Sequence, residues 1–392
     1  MSSVLKYYTD LEAPAALIFQ AMEQQGVRID VDYLRELKVN LEDQKEPIEQ
    51  EIKNVLGDIN LNSPKQLIGA LHAKEIFPEY KGKASTDKRA LERIKHIPIV
   101  SALLHYSELD TLLSNFVYPY LERNAEIMHP FFNQCGTRTG RPSCSNPNLL
   151  QIPKRTENGK LVRRMFVSRP EHIFGDSDYG QIEPRLLAHL SKDTTMCEMF
   201  NSDVDFHTYT ADRLHINREQ AKILNLSVGY RATFKSVSSQ LKCTDQEAQK
   251  EIDQWWAMFP QLRQWQDRLI WQTKKDGYFT TLLGRRIKVD NLNEYNKWKR
   301  EHAERQLVNN VCQASAAEVM KMGMIKVAKS GIHILIQVYD ELVTEHRNDL
   351  LDSELLQVKT SMENAVKLDV PLVVECKSGV NWGDVKLWNV TN

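Results

Sequence analysis

The sequence lacks the features of membrane and secreted proteins. No window in its 392 residues approaches about 18 uncharged apolar residues, so a membrane-spanning helix is excluded. The N-terminal stretch carries acidic side chains early and has no apolar segment, which excludes a secretory signal peptide. The six cysteines are scattered without C-x-x-C spacing. This pattern argues against a zinc site and a disulfide framework, and it indicates a reducing cytoplasm.

Net charge is also nearly absent, at a formal value of −1. The charge is instead concentrated locally. Residues 131–170 carry eight basic residues and one acidic residue, and residues 213–242 carry six basic residues and one acidic residue. Basic stretches of this kind attract phosphate groups. Solvated surface charge is the alternative explanation for either stretch taken alone.

Hydrophobic periodicity predicts a mostly helical α+β fold, and the length suggests two or three domains, or one large domain with subdomains. Helices are predicted over residues 11–25, 31–56 and 97–122, and a long one over about 294–329. Buried strands flank a polar turn between Ile332 and Thr344. Further elements are predicted to begin at Ser63 and at Ser85 or Thr86, and to cover residues 351–367 and 372–376.

Two aspartates occupy the ends of predicted strands beside turns. Asp178 and Asp340 are far apart in the chain, but a sheet can place side chains from distant segments side by side. Two carboxylates placed in this way can bind two magnesium ions, which share their remaining oxygen ligands with substrate phosphates. Glu341 is either a third ligand or a surface residue. For either aspartate alone, simple turn chemistry is the alternative.

A helix with cations in its first turns is predicted after Asn217. This residue and Gln220 form a capping-box pattern. Four residues then follow at intervals of four: Arg218, Lys222, Leu226 and Tyr230. Cations near a helix N-terminus oppose the helix dipole, so this face favours a bound polyanion, with a flat base packed against the apolar end. A solvent-exposed amphipathic helix is the alternative.

The long helix carries a second row at the same spacing. Arg305, Asn309 and Gln313 are each four residues apart among apolar neighbours. Their side chains can donate hydrogen bonds to the minor-groove acceptors that all base pairs share, and would therefore test the shape of a pair rather than its sequence. A polar outer face of the helix is the alternative.

At these residues the sequence resembles family A DNA polymerases, the DNA polymerase I family. The motifs occur in the same order and spacing, and the resemblance covers the chain from about residue 10 to the C-terminus. The matching segments are Thr139-Gly140-Arg141 with Asn146–Leu149 and Ile152-Pro153-x-Arg155, Asp178–Arg185, Arg218 with Lys222, Asn225, Gly229 and Tyr230, and Gln337–Glu341.

The resemblance implies a right-hand architecture with thumb, palm and fingers, in which the palm contains an antiparallel sheet. The expected boundaries are a lead-in to the palm over residues 1–26, the thumb over 27–125, the palm over 126–190 and 290–392, and the fingers over 191–289.

The resemblance also implies primer-dependent DNA synthesis by two-metal nucleotidyl transfer. Asp178, Asp340 and the backbone of Tyr179 would hold two Mg²⁺ ions, with Mn²⁺ as an alternative. Lys222 and Glu341 complete the expected catalytic set. The residues implied to bind the incoming nucleotide are Gln181, Glu183, His207, Arg218, Lys222, Leu226 and Tyr230.

Individual roles follow from the same resemblance. Arg218, Lys222 and His207 would hold the triphosphate. Glu183 would block a ribose 2′-hydroxyl, and Tyr230 would stack near the templating base. The residues implied to contact DNA are Arg141, Asn148, Arg155, Arg305, Asn309, Gln313 and Tyr339, with Arg305 lying against the template strand.

The sequence departs from the family pattern at two positions of the site. Leu226 stands where the family usually has an aromatic residue, so altered discrimination at the sugar of the nucleotide is expected. Tyr339 replaces the usual histidine before the catalytic aspartate and can donate a hydrogen bond, but not as a cation. Gly180, Pro184, Ser227 and Arg231 are further departures.

The partners implied are primer–template DNA and deoxynucleoside triphosphates. Too few residues precede the resemblance for a 3′–5′ exonuclease domain, so an enzyme without intrinsic proofreading is expected. A separate exonuclease, helicase or primase is allowed as a partner. A monomer, a bacteriophage source and the cytoplasm of a bacterial or phage-infected cell are the remaining expectations.

Two other functions are weighed against this one. A single-subunit RNA polymerase has a related palm, but Glu183 argues against it. A catalytically inactive subunit that binds primer–template is the second alternative. Retention of Asp178, Asp340, Arg218 and Lys222 together argues against that function.

Overall fold

The structure is a computed structural model that describes residues 3–80, 82–154 and 156–389. Within these ranges helices dominate, and they surround one five-stranded antiparallel sheet and four two-stranded sheets. The predicted α+β class is therefore confirmed. No helix within the described ranges is long and apolar enough to cross a lipid bilayer.

The central sheet is built from distant parts of the chain. Its strands in spatial order are His333–Val338, Glu341–Arg347, His172–Tyr179, Val374–Gly379 and Lys386–Leu387. The register places Glu341 opposite Asp178 and Val343 opposite Asp176. The strand predicted over residues 372–376 begins later, at Val374, where its pairing with Tyr179 starts.

The N-terminal third is helical. Its elements are Ser3–Tyr7, a π-helical turn Tyr8–Glu12, Ala13–Gln25, Val31–Leu56, Pro64–His72, Lys88–Leu91, a 3₁₀ turn Glu92–Ile94, Pro98–Leu112, a π-helical turn Leu113–Val117, and Tyr118–Arg123. The helix predicted from Ser85 or Thr86 begins later, at Lys88, because Asp87 occupies the N-cap position. The predicted helices over residues 11–25, 31–56 and 97–122 are confirmed.

Two separate cores divide this region. Leu34, Leu37 and Leu41 pack into the main core with the central sheet. Ile52 and Leu56, near the end of the same helix, belong to a second core formed by residues 52–106. One long helix therefore connects a small helical unit to the body of the protein.

The middle of the chain forms a third core of its own. Its helices are Ile182–Ser191, Thr194–Asn201, Phe206–Leu214, Arg218–Val228, Phe234–Leu241, Asp245–Met258 and Pro260–Asp276. Trp255, Phe206 and Phe259 are among the largest buried side chains of this core, and Phe259 contacts both of the others edge to face. The capping box at Asn217 and Gln220 is confirmed, with both reciprocal hydrogen bonds formed.

The long helix runs over Lys297–Lys329 and joins two cores. Its C-terminal half, from Ala316 to Val327, packs against the central sheet. Its N-terminal half, from Ala303 to Ala314, packs against residues 270–292. The remaining elements are a 3₁₀ turn Leu149–Gln151, a helix Glu157–Arg163, and four antiparallel strand pairs. These pairs are Val27–Arg28 with Ile127–Met128, Glu79–Tyr80 with Lys83–Ala84, Phe131–Asn133 with Ser143–Ser145, and Tyr278–Thr280 with Arg286–Lys288.

Candidate active site

The two predicted aspartates meet at one end of the central sheet. Asp178 lies near the end of its strand, and Asp340 lies in the two-residue turn that leads into the neighbouring strand. The backbone N–H of Tyr179 donates to the carbonyl oxygen of Asp340 at 3.1 Å. Strand pairing thus brings the two aspartates close together in space, as predicted from their positions at strand ends.

This end of the sheet concentrates negative charge. Burial and the nearby Asp178 carboxylate raise the pKa of Asp340 to about 6. Burial and the nearby Glu341 carboxylate raise the pKa of Asp176 to about 7. Asp176 was not predicted as part of the site, although its place two residues before Asp178 on one strand puts both side chains on the same face.

A lysine that the sequence analysis did not single out neutralises this charge. The Lys154 ammonium donates to Asp178 Oδ2 at 2.9 Å and to Glu341 Oε2 at 2.7 Å. Burial alone would lower the pKa of Lys154, but the two carboxylates outweigh burial and raise it. The signal that pointed to Lys154 was the basic stretch in which it lies, rather than a motif.

Glu341 is a buried and fully partnered carboxylate, with 2% of the residue exposed. Besides Lys154, it accepts hydrogen bonds from the Arg163 guanidinium at 3.3 Å and from Trp382 Nε1 at 3.0 Å. Burial would raise the pKa of Glu341, but the cations Lys154 and Arg163 hold it below its usual value. Of the two alternatives for Glu341, burial therefore excludes the surface residue. As a direct ligand, Glu341 would have to give up these donors.

The donors at this end of the sheet fit a pair of divalent ions that share ligands with a substrate. The carboxylates of Asp178 and Asp340 are near enough for the charge of Asp178 to raise the pKa of Asp340, and a bound cation would relieve this repulsion. Among residues 3–80, 82–154 and 156–389, no group of three or more His, Cys, Asp or Glu side chains forms a metal cage. Magnesium is commonly held by one or two carboxylates, with waters and phosphate oxygens as its other ligands.

A large cleft elsewhere is not part of this site. It has a volume of about 1100 Å³ and is lined by Arg28, Tyr33, Arg169 and His172, among others. His172 begins the strand that Asp178 nearly ends. At about 3.3 Å per residue, the cleft lies about 20 Å from the carboxylates.

The predicted phosphate-binding cations project from the helix Arg218–Val228. Arg218 pairs with Asp205 at 3.2 Å, and Gln181 Nε2 donates to the same carboxylate at 2.9 Å. Burial would raise the pKa of Asp205, but hydrogen bonds from Arg218 and Thr208 lower it to about 2. The half-buried Lys222 side chain makes no ion pair or hydrogen bond with the described part of the chain. One cation of the row is thus neutralised internally and the other is not.

His207 lies beside these cations and is held in one orientation. Asn225 Nδ2 donates to His207 Nδ1 at 3.0 Å, so the ring proton of neutral histidine lies on Nε2. Burial lowers the pKa of His207, and the nearby Arg218 and Lys222 lower it further in spite of Asp205. Asn225 is fixed in turn, since Trp255 Nε1 donates to its Oδ1 at 2.7 Å. His207 is therefore a neutral donor at this site.

The predicted row of four residues does not remain on one exposed face. Leu226 is 50% exposed, as the row requires. The helix ends at Val228, and Tyr230 lies in the closing turn, where Arg231 adopts a left-handed φ of 61°. Tyr230 packs against the core of the middle region, and its hydroxyl donates to Glu183 Oε2 at 2.6 Å.

Glu183 connects the middle region to the sheet region. Besides Tyr230, it accepts a hydrogen bond from Arg141 at 2.9 Å. The Arg141 guanidinium also lies 5.5 Å from the ring centroid of Tyr339, which has a positive φ of 57° in the turn before Asp340. Residues predicted from three separate motifs are thus joined, and none of these contacts is visible in the sequence.

The remaining predicted DNA contacts have different surroundings. Asn148 accepts a hydrogen bond from Leu150 N at 3.1 Å and caps a short 3₁₀ turn, which is a local structural role. Arg155 lies outside the described residues. Arg305, Asn309 and Gln313 are half-buried on the long helix, and Gln313 Nε2 donates to Asn309 Oδ1 at 3.2 Å. Their contacts with DNA stay predictions.

Comparison with known proteins agrees with this arrangement. The sequence profile of DNA polymerase family A matches residues 31–384. The chain belongs to DNA polymerase family A. It is 36% identical to DNA polymerase I of Geobacillus stearothermophilus, over 96% of this chain and 46% of that protein. It is 35% identical to the thermostable DNA polymerase I of Thermus aquaticus, over 98% of this chain and 49% of that protein.

A solved structure of the family has the same fold. It is the POL domain of Pol1 from M. smegmatis in complex with DNA primer-template and dNTP. The TM-score is 0.89 at 33% identity, and the match covers 95% of this chain and 70% of the other. The right-hand polymerase fold is therefore confirmed. The chain spans about half the length of the curated family A relatives it matches.

Proposed function

We propose that this chain is a template-directed, primer-dependent DNA polymerase that uses deoxynucleoside triphosphates. One observation carries the proposal. Asp178 and Asp340, from segments far apart in the chain, meet at one end of the sheet, within a network that also reaches the motif residues Arg141, Glu183 and Tyr339. Membership of family A, and a close structural match to a domain solved with primer-template and dNTP, support it.

In this proposal, Asp178, Asp340 and the backbone carbonyl of Tyr179 hold two Mg²⁺ ions, with Mn²⁺ as an alternative. When bound, such a pair activates the primer 3′-hydroxyl and stabilises the departing pyrophosphate. Glu341 acts indirectly, through Lys154, rather than as a metal ligand. It is held by Arg163 and Trp382, and it orients Lys154, which lies against Asp178 until the cations bind.

The triphosphate would be held by the helix Arg218–Val228. Arg218 exchanges the Asp205 carboxylate for phosphate oxygens, which are equally good bidentate acceptors. His207, whose Nε2 carries the ring proton, donates to the same phosphates. Lys222, which has no partner in the described ranges, supplies a proton to the leaving pyrophosphate.

Selection of the sugar would depend on Glu183. Arg141 and Tyr230 hold its two carboxylate oxygens, so the side chain is fixed where a 2′-hydroxyl would approach. Leu226, half exposed on the nucleotide-binding face, would contact the sugar with less bulk than an aromatic ring. We therefore infer strong rejection of ribonucleotides and weaker discrimination at the 3′ position.

We assign the subdomains by the same reasoning. The thumb is placed over residues 27–125, the fingers over 191–289, and the palm over 126–190 and 290–392. The lead-in over residues 1–26 contributes Ala15, Phe19 and Met22 to the core shared with the central sheet, which supports treating it as part of the palm.

The test is primer extension on a labelled primer–template with Mg²⁺, comparing dNTPs with rNTPs. Wild type is compared with Asp178→Asn and with Asp349→Asn as a matched control. Asp349 lies beyond the opposite end of the same sheet, in an exposed pair with Arg347, where loss of a charge has little effect. Wild type and Asp349→Asn should extend with dNTPs, and Asp178→Asn should not.

Other outcomes separate the alternatives. Equal extension with rNTPs would favour an RNA polymerase. Binding of the duplex by gel shift without any extension would favour an accessory subunit. Extension by Asp178→Asn at the wild-type rate would contradict the assignment of Asp178. Thermal melting of each variant checks that the fold is retained.

A further inference from the structure

The first turns of the long helix carry an exposed aromatic surface. Trp298 is 69% exposed, and Tyr295, which precedes the helix, is fully exposed. A single exposed tryptophan needs no explanation, but Tyr295 and Trp298 are three residues apart, and exposed aromatic residues grouped in this way indicate a binding surface. The backbone here is ordered by a cap, because Asn296 Oδ1 accepts a hydrogen bond from Lys299 N at 3.1 Å.

Trp298 shares a face of the helix with the residues predicted to contact DNA. At 100° per residue, five residues fall within a strip about 80° wide. They are Trp298, His302, Arg305, Asn309 and Gln313. The strip is therefore continuous, and its N-terminal part lies outside every role assigned above.

The two aromatic members of the strip stack on each other and leave outer ring faces for a further base. The rings of Trp298 and His302 are stacked, with centroids 5.7 Å apart and an angle of 5° between their planes. Residues 295–302 carry three basic residues and one acidic residue. Lys297 lies 3.8 Å from Glu301 and is largely exposed. An aromatic surface bordered by cations complements an unpaired nucleic acid strand, which offers base faces and phosphates together.

The direction of the helix points to one strand in particular. Its C-terminal half packs against the sheet that carries Asp178, and its N-terminal half packs on a separate core away from that sheet. Trp298 precedes Arg305 by seven residues, or about 10 Å along the axis. A strand lying against Arg305 would thus reach Trp298 one or two nucleotides farther from the catalytic carboxylates.

We propose that Trp298 and His302 form a stacking site for the unpaired template strand ahead of the templating base. The inference rests on the proposed function, because it takes Arg305 to lie against the template. A duplex is not the expected ligand, since its bases are already stacked and expose only their edges. Lys297 and Lys299 would contact the phosphates of the bound strand.

The experiment measures binding without catalysis. Fluorescence anisotropy gives the Kd of primer–templates with a dideoxy-terminated primer, carrying template overhangs of one or six nucleotides, without added nucleotide. We expect wild type to bind the six-nucleotide overhang more tightly. Trp298→Ala should lose about tenfold in affinity for that DNA, about 1.4 kcal/mol, and none for the one-nucleotide overhang. Trp298→Phe should recover part of the loss.

The matched control is Trp271→Ala. Trp271 is 64% exposed but lies on another helix, outside the strip. The Trp271→Ala variant should bind both DNAs with the same Kd as wild type. An equal loss with Trp271→Ala, an equal loss on both overhangs with Trp298→Ala, or no loss on either would each overturn the proposal. Wild-type extension of an unblocked primer is measured in parallel, so a failure of the polymerase function is seen separately from a failure of template stacking.

Discussion

The end of the sheet proposed to be catalytic and the helix face proposed to bind the nucleotide, on Arg218–Val228, organise their charges in opposite ways. At the sheet, Glu341 is buried and accepts from Lys154, Arg163 and Trp382. On the helix, Arg218 is exposed, and among the described residues it pairs only with Asp205. A buried charge needs a partner even without substrate, whereas water solvates an exposed cation until a substrate binds. Changes at the sheet should therefore cost stability, and changes on the helix should cost activity alone.

The largest expected effect on stability is at Glu341. Glu341→Ala leaves the buried Arg163 without its carboxylate, and breaking a buried pair costs about 3–5 kcal/mol. Denaturant unfolding should show this loss. The exposed Arg347–Asp349 pair serves as control, since Asp349→Ala should change stability by less than about 1 kcal/mol. A Glu341→Ala protein as stable as wild type would contradict the expected difference in stability between changes at the sheet and changes on the helix.

Glu318 can be compared with Glu341. Both are buried acids, but the Glu318 carboxylate accepts hydrogen bonds from uncharged donors rather than from cations. Thr281 and the backbone N–H of Leu283 donate to it, and burial raises its pKa from 4.5 to about 7. Between these pH values the folded protein holds a proton that the unfolded chain has lost, so stability falls as pH rises. The loss is complete above about pH 7.

Glu318→Gln removes this titration. The stability of wild type relative to Glu318→Gln should fall by about 3 kcal/mol between pH 4.5 and pH 8. Unfolding by denaturant at several pH values checks it, and other titrating groups cancel in the difference. A difference that stays constant with pH would show that folding does not raise the pKa of Glu318.

On the helix, Lys222→Ala should lower the rate constant of nucleotide addition about 100-fold, since a positioned general acid contributes at least that much. Its ammonium has no partner in the described ranges, so the melting temperature should not change. Lys222→Arg is the informative companion. It keeps the charge, but its proton is too tightly held for transfer. Recovery of the full rate by arginine would favour a purely electrostatic role.

The smallest expected effect is at Glu183, where the two regions meet. Glu183→Ala removes the acceptor of Arg141 and Tyr230, and opens the space where a 2′-hydroxyl would lie. The preference for dNTPs over rNTPs should fall by at least about tenfold, within the range that pocket shape supplies. Single-nucleotide kcat/KM values measure it. Tyr230→Phe, which keeps the carboxylate, is the control and should retain most of the preference.

The sequence alone predicted the local elements and the family. Helices over residues 31–56 and 97–122, and the capping box at Asn217 and Gln220, are confirmed, because periodicity and caps act between residues a few positions apart. The two aspartates were found for a similar reason, since each lies in a motif that can be read within a few residues.

Only the tertiary structure decided how the site is held together. Lys154 between Asp178 and Glu341, Trp382 against Glu341, and Tyr230 on Glu183 join residues that are 24 to 187 positions apart in the chain. The burial of Glu341 and the end of the helix before Tyr230 were also missed. Charge pairing and burial depend on which distant segments share a core, and no local pattern in the sequence encodes that choice.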